Sequence, residues 1–252
     1  MIQRNIHFMN RFQSSKISDL LRSNPIAQIA EILIVFLAAI IIIATLLPWA
    51  GEHLIKLQGV VWVANVVMLL LVWLGIKLRG ESWESFGLSF KRFTLKEAIK
   101  TFLLSLLVFV LAMIGFILGS IIMANITGIP EQADMSSYAY LKDNLLMLFV
   151  TLIGVYIVSS FGEEVIYRGF LINRIKSIFK SDKAGKYVAV IISSIVFGLI
   201  HYSWGPMGIV QTGLMGLALA LCYLKFKNLW ILVLAHAYMD TILMVQMYMA
   251  SN

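Results

Sequence analysis

Charge is scarce in this sequence: Asp, Glu, Lys and Arg make up 13% of its 252 residues. A soluble domain carries about 25%, because its whole surface faces water. That shortfall excludes a conventional soluble enzyme. Cysteine is nearly absent, with Cys222 alone, so the chain is no disulfide scaffold and its redox compartment stays undetermined. Proline occurs four times, and there is no repeat or low-complexity tract, which excludes fibrous and disordered classes. No apolar run alternates with period two, which argues against a β-barrel. What fills the chain instead is apolar: 60% hydrophobic residues and a mean hydropathy of +0.89. An integral membrane protein is the class that remains.

A helix needs about 18–20 apolar residues to cross the hydrocarbon. Seven runs approach or exceed that length, at 26–47, 57–76, 98–123, 145–171, 187–203, 207–224 and 229–249. The fifth and sixth are the shortest, parted only by Trp204, Gly205 and Pro206. The first exceeds the apolar stretch of a signal peptide, and Leu47-Pro48-Trp49 follows it in place of a small-x-small site, which predicts a retained helix. The expectation is an all-α, polytopic helix bundle forming one membrane domain over 1–252, with seven spans and room for an eighth, short or re-entrant element.

Basic residues set the expected orientation. With a cytoplasmic N-terminus and seven crossings, 18 of the 20 Lys and Arg residues fall on the inner side, leaving only Lys56 and Lys142 outside. That asymmetry is the positive-inside rule. It predicts a multi-pass protein of the cell membrane, and it accounts for the net charge of +7 without any nucleic-acid partner. The stretch 77–97, with Trp83, Phe86, Leu88, Phe90 and Phe93 among its charges, reads as a segment lying on the inner membrane face. The stretch 125–144, around Pro130 and Asp134, reads as an outer loop without a chemical motif.

Ionisable residues inside membrane helices are costly and become functional candidates by default. Glu31 near the start of the first run reads as an interfacial carboxylate reaching for Arg22 or headgroups, and Asn65 as a helix–helix hydrogen bond. His7 and His53 lie outside the runs and are given no role. The remaining polar groups form three clusters: Ser159 to Arg168 with Glu163 and Glu164, Phe197 to His201, and His236 to Asp240. Glu164 and Arg168 are four apart and can pair. On a turn of 3.6 residues Glu163 points about 100° away from Glu164 and has no partner on its own helix. An unpaired carboxylate in a low dielectric suits a general base. His236 and Asp240 are also four apart, so Asp240 is placed to set the tautomer of His236.

At 1.5 Å per residue, Glu163, His201, His236 and Asp240 all come roughly 13–22 Å below the inner boundary, provided the fourth helix runs unbroken past Gly169. Two histidines and several carboxylates at one depth imply a water-accessible cavity. Four readings fit that set: activation of water and stabilisation of an oxyanion in amide hydrolysis, a zinc site of His201, His236 and carboxylates, a proton relay in a transporter, and a polar network that only ties helices together.

The order EExxxR, FxxxH, HxxxD on successive late helices resembles the CPBP intramembrane proteases, the Abi family that includes the CAAX prenyl endopeptidase Rce1 and bacteriocin-processing proteins. The resemblance covers about 145–245; the first three helices match only as hydrophobic spans. It implies a glutamate-dependent endopeptidase built of helices around a conical cavity, with no metal or other cofactor. Glu163 would activate the attacking water, assisted by His201, and His236 with residue 240 would stabilise the oxyanion, beside the Glu164–Arg168 pair. Residue 240 is often asparagine in the family; Asp240 here, if ionised, only accepts hydrogen bonds. That departure puts its oxyanion role in doubt and keeps zinc as the alternative. The implied partners are the lipid bilayer and a peptide or protein substrate, membrane-anchored in some relatives, of CAAX, leader or bacteriocin-like type. A non-proteolytic membrane regulator or immunity protein is the other class.

Overall fold

The computed structural model describes residues 16–128 and 133–250, so Arg4, His7, Arg11 and Pro130 lie outside the described residues. The described chain is helical throughout and contains no strand. A short helix α1 (Lys16–Ser23) leads into α2 (Pro25–Ala50), α3 (Leu54–Leu78), α4 (Leu95–Thr127), α5 (Leu145–Ile178), α6 (Asp182–Leu199), α7 (Gly205–Phe226) and α8 (Leu229–Met249). Local chemistry marks the boundaries. Asn24 accepts from the amides of Ile26 and Ala27 with Pro25 in the first turn of α2, and Thr94 and Glu97 close a capping box on α4. Asn228 caps α8 immediately after Lys227 turns the chain in a left-handed conformation, at φ 49°.

Six helical segments are long and apolar enough to cross a membrane: α2, α3, α4, α5, α7 with its preceding turn, and α8. The seventh expected span is α6, which falls short of that standard by its charges. Asp182, Lys183 and Lys186 occupy its first two turns, so the uncharged part from Tyr187 to Leu199 covers only about 20 Å of a hydrocarbon core about 30 Å thick. The helix nevertheless packs against α7 and the C-terminal turns of α5 within the bundle. Many large apolar side chains on the other helices are exposed, including Ile40, Ile41, Leu70, Leu103, Ile121 and Leu146, as lipid-facing surfaces require. The protein is a multi-pass membrane protein.

Tertiary contacts place the connections at two ends. At one, the amide of Leu229 donates to the carbonyl of Gly87 at 3.0 Å and Ser18 Oγ to that of Arg79 at 3.1 Å. At the other, the amide of Asp134 donates to Trp204 O and that of Asp143 to Tyr248 O, each at 3.2 Å. The segment 77–97 therefore does more than lie on a membrane face. Phe86 and Leu88 are fully buried in the main core, while Phe90 and Phe93 stay exposed. Gly87, at φ 78°, passes so close to the α7–α8 turn that a Cβ would sit 2.3 Å from Lys227 O.

Two further expectations change. Asn65 bonds the carbonyl of Val61 on its own helix at 3.3 Å, not a neighbouring helix. Glu31 pairs with Arg174 at 3.2 Å and with Arg79 at 3.6 Å, not with Arg22.

Candidate active site

Helix α5 runs unbroken past Gly169, but its central part, Tyr156–Leu171, winds as a π-helix flanked by α-helical Leu145–Val155 and Ile172–Ile178. Such turns close through i→i+5 bonds and usually appear as single turns at functional sites. Here the stretch holds Ser159, Ser160, Glu163, Glu164 and Arg168. The angles and depths read from a turn of 3.6 residues with 1.5 Å rise therefore do not apply across it.

Glu164 and Arg168 pair at 2.9 Å, and both are fully buried. The guanidinium is held further by Gly216 O, 3.4 Å from Nη2, and by the Phe197 ring, whose centroid lies 4.1 Å from Cζ. The same Glu164 oxygen that meets Arg168 accepts from His236 Nδ1 at 2.8 Å. Glu164 thus sets the orientation of His236 across the α5–α8 interface, the part that spacing had offered to Asp240. Asp240 instead accepts from Ser160 Oγ at 2.7 Å.

With Nδ1 engaged, His236 turns Nε2 toward the remaining polar groups. Ser159 Oγ lies 3.4 Å away, and Glu163 Oε2 and Asp240 Oδ1 each lie 3.9 Å away. The last two separations exceed a direct hydrogen bond and match a span that one water or one substrate oxygen bridges. Glu163 Oε2 is buried and has no hydrogen-bond partner. A buried carboxylate oxygen left unpaired is costly, and groups of this kind concentrate at reactive centres.

His201 sits after the end of α6, at the start of the turn Tyr202–Trp204, and not within a helix. Its Nδ1 lies 2.8 Å from Phe197 O. A carbonyl only accepts, so Nδ1 carries the proton and Nε2 is left for another partner. The ring packs on Trp204 and Phe197 at centroid distances of 4.7 and 5.1 Å, and Phe197 lies 6.1 Å from the His236 ring. Phe197 therefore packs against both histidine rings. His201 joins none of the ion pairs around His236.

Three neighbours had no role assigned from the motifs. Ser159 and Ser160 precede the EExxxR pattern and hold the His236 and Asp240 side chains; two adjacent hydroxyls before a charged cluster were the available signal. Tyr138, from the turn Ser136–Leu141 in the supposedly motif-free loop, packs against the cluster of Leu141, Leu148, Val155 and Met244. Burial, then the charges of Asp240 and Glu163, push its hydroxyl above the ordinary tyrosine range. Only folding brings that loop to the site. Among the described residues, no three His, Cys, Asp or Glu side chains converge as a metal-binding group.

Residues 144–242, which include all of these groups except Tyr138, match the family model described as type II CAAX prenyl endopeptidase Rce1-like. No curated protein and no solved structure matches the chain.

Proposed function

We propose that this chain is an intramembrane protease that hydrolyses a peptide bond by a glutamate-activated water, because residues 144–242 match the type II CAAX prenyl endopeptidase Rce1-like model. The observation that carries the reading is the division of labour between adjacent carboxylates. Glu164 spends Oε1 on both Arg168 and His236 and leaves Oε2 unpaired, whereas Glu163 is hydrogen-bonded to neither and has a buried oxygen without a partner, 3.9 Å from His236 Nε2. In this mechanism Glu163 takes a proton from a water lying between it and His236, and the water oxygen attacks the scissile carbonyl carbon. His236, cationic between Glu164, Glu163 and Asp240, donates from Nε2 to the oxyanion that forms. His201 offers Nε2 to the same water. As the C–N bond breaks, Glu163 returns its proton to the leaving amine. Glu164 and Arg168 orient His236, and Ser160 holds Asp240 so that its charge faces the imidazolium.

The substrate class proposed is a membrane-associated polypeptide: a CAAX-type, leader or bacteriocin-like peptide. The cytoplasmic end is proposed to be the basic one, with the N-terminus on the cytoplasmic side of the cell membrane. No cofactor enters the mechanism, and zinc chemistry is tested beside it. Purified protein in detergent is offered quenched fluorescent peptides, prenylated and unmodified. Cleavage that falls about 10²–10⁴-fold in Glu163→Gln, falls likewise in His236→Ala, and is unchanged by 1,10-phenanthroline supports the reading. Loss with chelator and recovery with zinc would replace it by metal chemistry.

A further inference from the structure

A second charged cluster lies at the basic end of the bundle, apart from the site above. Arg174, eleven residues beyond Glu163 on α5, holds Glu81 through both guanidinium nitrogens at 3.3 and 2.9 Å and reaches Glu31 at 3.2 Å. Arg79, 2% exposed, lies 3.6 Å from Glu31 and 3.4 Å from Glu81 through its Nε, which makes no hydrogen bond. Burial, then the neighbouring Arg174, lower the Arg79 guanidinium from its ordinary value, and Arg22 adds to the repulsion. The cluster thus has two buried arginines balanced by two glutamates, with one arginine nitrogen unsatisfied.

Helix α1 brings a third arginine to it. Arg79 donates to Leu21 O, Ser18 donates to Arg79 O at 3.1 Å, and Gln28 donates to Arg22 O at 2.7 Å. These bonds fix the last turn of α1 against α2 and the end of α3. Arg22 is thereby held at the mouth of a cavity of about 260 Å³ lined by Arg22, Arg79, Arg174, Glu81, Ser85 and Ser177, with Phe86 and Asn173. Among the described residues Arg22 joins no ion pair. The neutral donors of the lining are already spent: Ser85 on Ser82 O, Ser177 on Gln28 and Arg174 O, Asn173 on Gly169 O and Tyr223. Glu81 is neutralised by Arg174. Arg174 is likewise spent on Glu31 and Glu81, and Arg79 is buried beside them, so recognition in this cavity falls chiefly to the exposed guanidinium of Arg22, whose planar fork matches phosphate oxygens.

We propose that this cavity, formed where α1 docks on the ends of α2, α3 and α5, is a binding site for a phosphate-bearing anion. Its surroundings point to the membrane interface as the source. Ile17 and Leu20 on α1 and Ile26 at the start of α2 are exposed at 53%, 50% and 77% around the cavity's own helices. Basic pockets between membrane helices bind acidic headgroups in this way. The volume lies just below the range of pockets that enclose a drug-sized ligand, so a headgroup enters and the acyl chains stay outside. The site is independent of the proteolytic reading.

The test uses full-length protein stripped of lipid in detergent and titrated with dioleoyl phosphatidylglycerol or dioleoyl phosphatidylcholine under native mass spectrometry. A parallel thermal-shift series adds inorganic phosphate, with chloride at matched ionic strength. Wild type is expected to bind the anionic lipid about tenfold more tightly than the zwitterionic one, with most of that preference lost in Arg22→Gln and partly kept in Arg22→Lys. Stabilisation of wild type by inorganic phosphate, absent in Arg22→Gln, would assign the same site to the free anion. Because Arg22 is exposed, both variants should unfold at the wild-type temperature without ligand. Equal binding of the two lipids with no effect of phosphate would overturn the proposal. So would a response to either ligand that Arg22→Gln leaves unchanged.

Discussion

Glu163 and Glu164 are neighbours in sequence with different surroundings, and the proposed chemistry rests on that difference. Glu164 is fully buried and is the shared acceptor for Arg168 and His236. Glu164→Gln removes the charge that compensates a buried guanidinium, and breaking such a pair costs about 3–5 kcal/mol. Thermal unfolding in detergent should show that loss whether or not substrate is present. Asp240→Asn separates the two readings of the departure from the family pattern. The amide oxygen can still accept from Ser160, and its NH₂ can donate to the oxyanion. Cleavage rates are therefore expected within about threefold of wild type. A loss of about 10²-fold or more would mean that the negative charge itself is required. The Glu164–Arg168 pair was legible because a four-residue spacing survives in the wider turn. The partner of His236 was not, since it comes from another helix and no periodicity reports a contact between positions 164 and 236.

At the scale of elements, apolar runs located the helices well and their internal geometry poorly. The run at 145–171 belongs to one helix ending at Ile178, but nothing in its composition announced that 16 residues of it would wind as a π-helix. The run at 187–203 breaks at Leu199, and His201 falls in the following turn, which leads to Gly205, at φ 75°, and Pro206. On α7 a Cβ on Gly213 would find ordinary contacts, but one on Gly216 would lie 2.9 Å from the Phe197 ring, and neighbouring helices bring glycines against the α7 backbone. A Cβ on Gly115 of α4 would meet Leu214 O at 2.6 Å, and one on Gly198 of α6 would meet Ile209 O at 2.7 Å. Both obstacles are backbone and cannot swing aside. Gly115→Ala is expected to destabilise the bundle by about 1–3 kcal/mol through overpacking, while Gly213→Ala should be nearly silent in the same unfolding assay.

For the whole molecule, the distribution of charge and the tertiary contacts meet at one end. Arg22, Arg79, Arg174 and Lys227 lie with the 77–97 segment and the α7–α8 turn, where Leu229 bonds Gly87. Composition made this separation legible, because the positive-inside pattern depends on how the runs alternate and not on how they pack. Packing decided what composition could not, namely that Phe86 and Leu88 enter the core and that Tyr138 approaches the site from the opposite end. The proposed orientation is checked with single cysteines in a Cys222→Ser background, probed in intact cells with an impermeant maleimide. A cysteine replacing Glu52 should label from outside, and one replacing Lys91 should label only after permeabilisation. The reverse pattern would invert the topology.

The most direct measurement of the central claim is kcat for peptide cleavage by Glu163→Gln, taken beside its unfolding temperature. The expected result is a protein at least as stable as wild type, with KM little changed and kcat lower by about 10²–10⁴-fold. A folded Glu163→Gln protein that cleaves within about tenfold of wild type would contradict the assignment, since a base worth only that much would leave the water to be activated elsewhere.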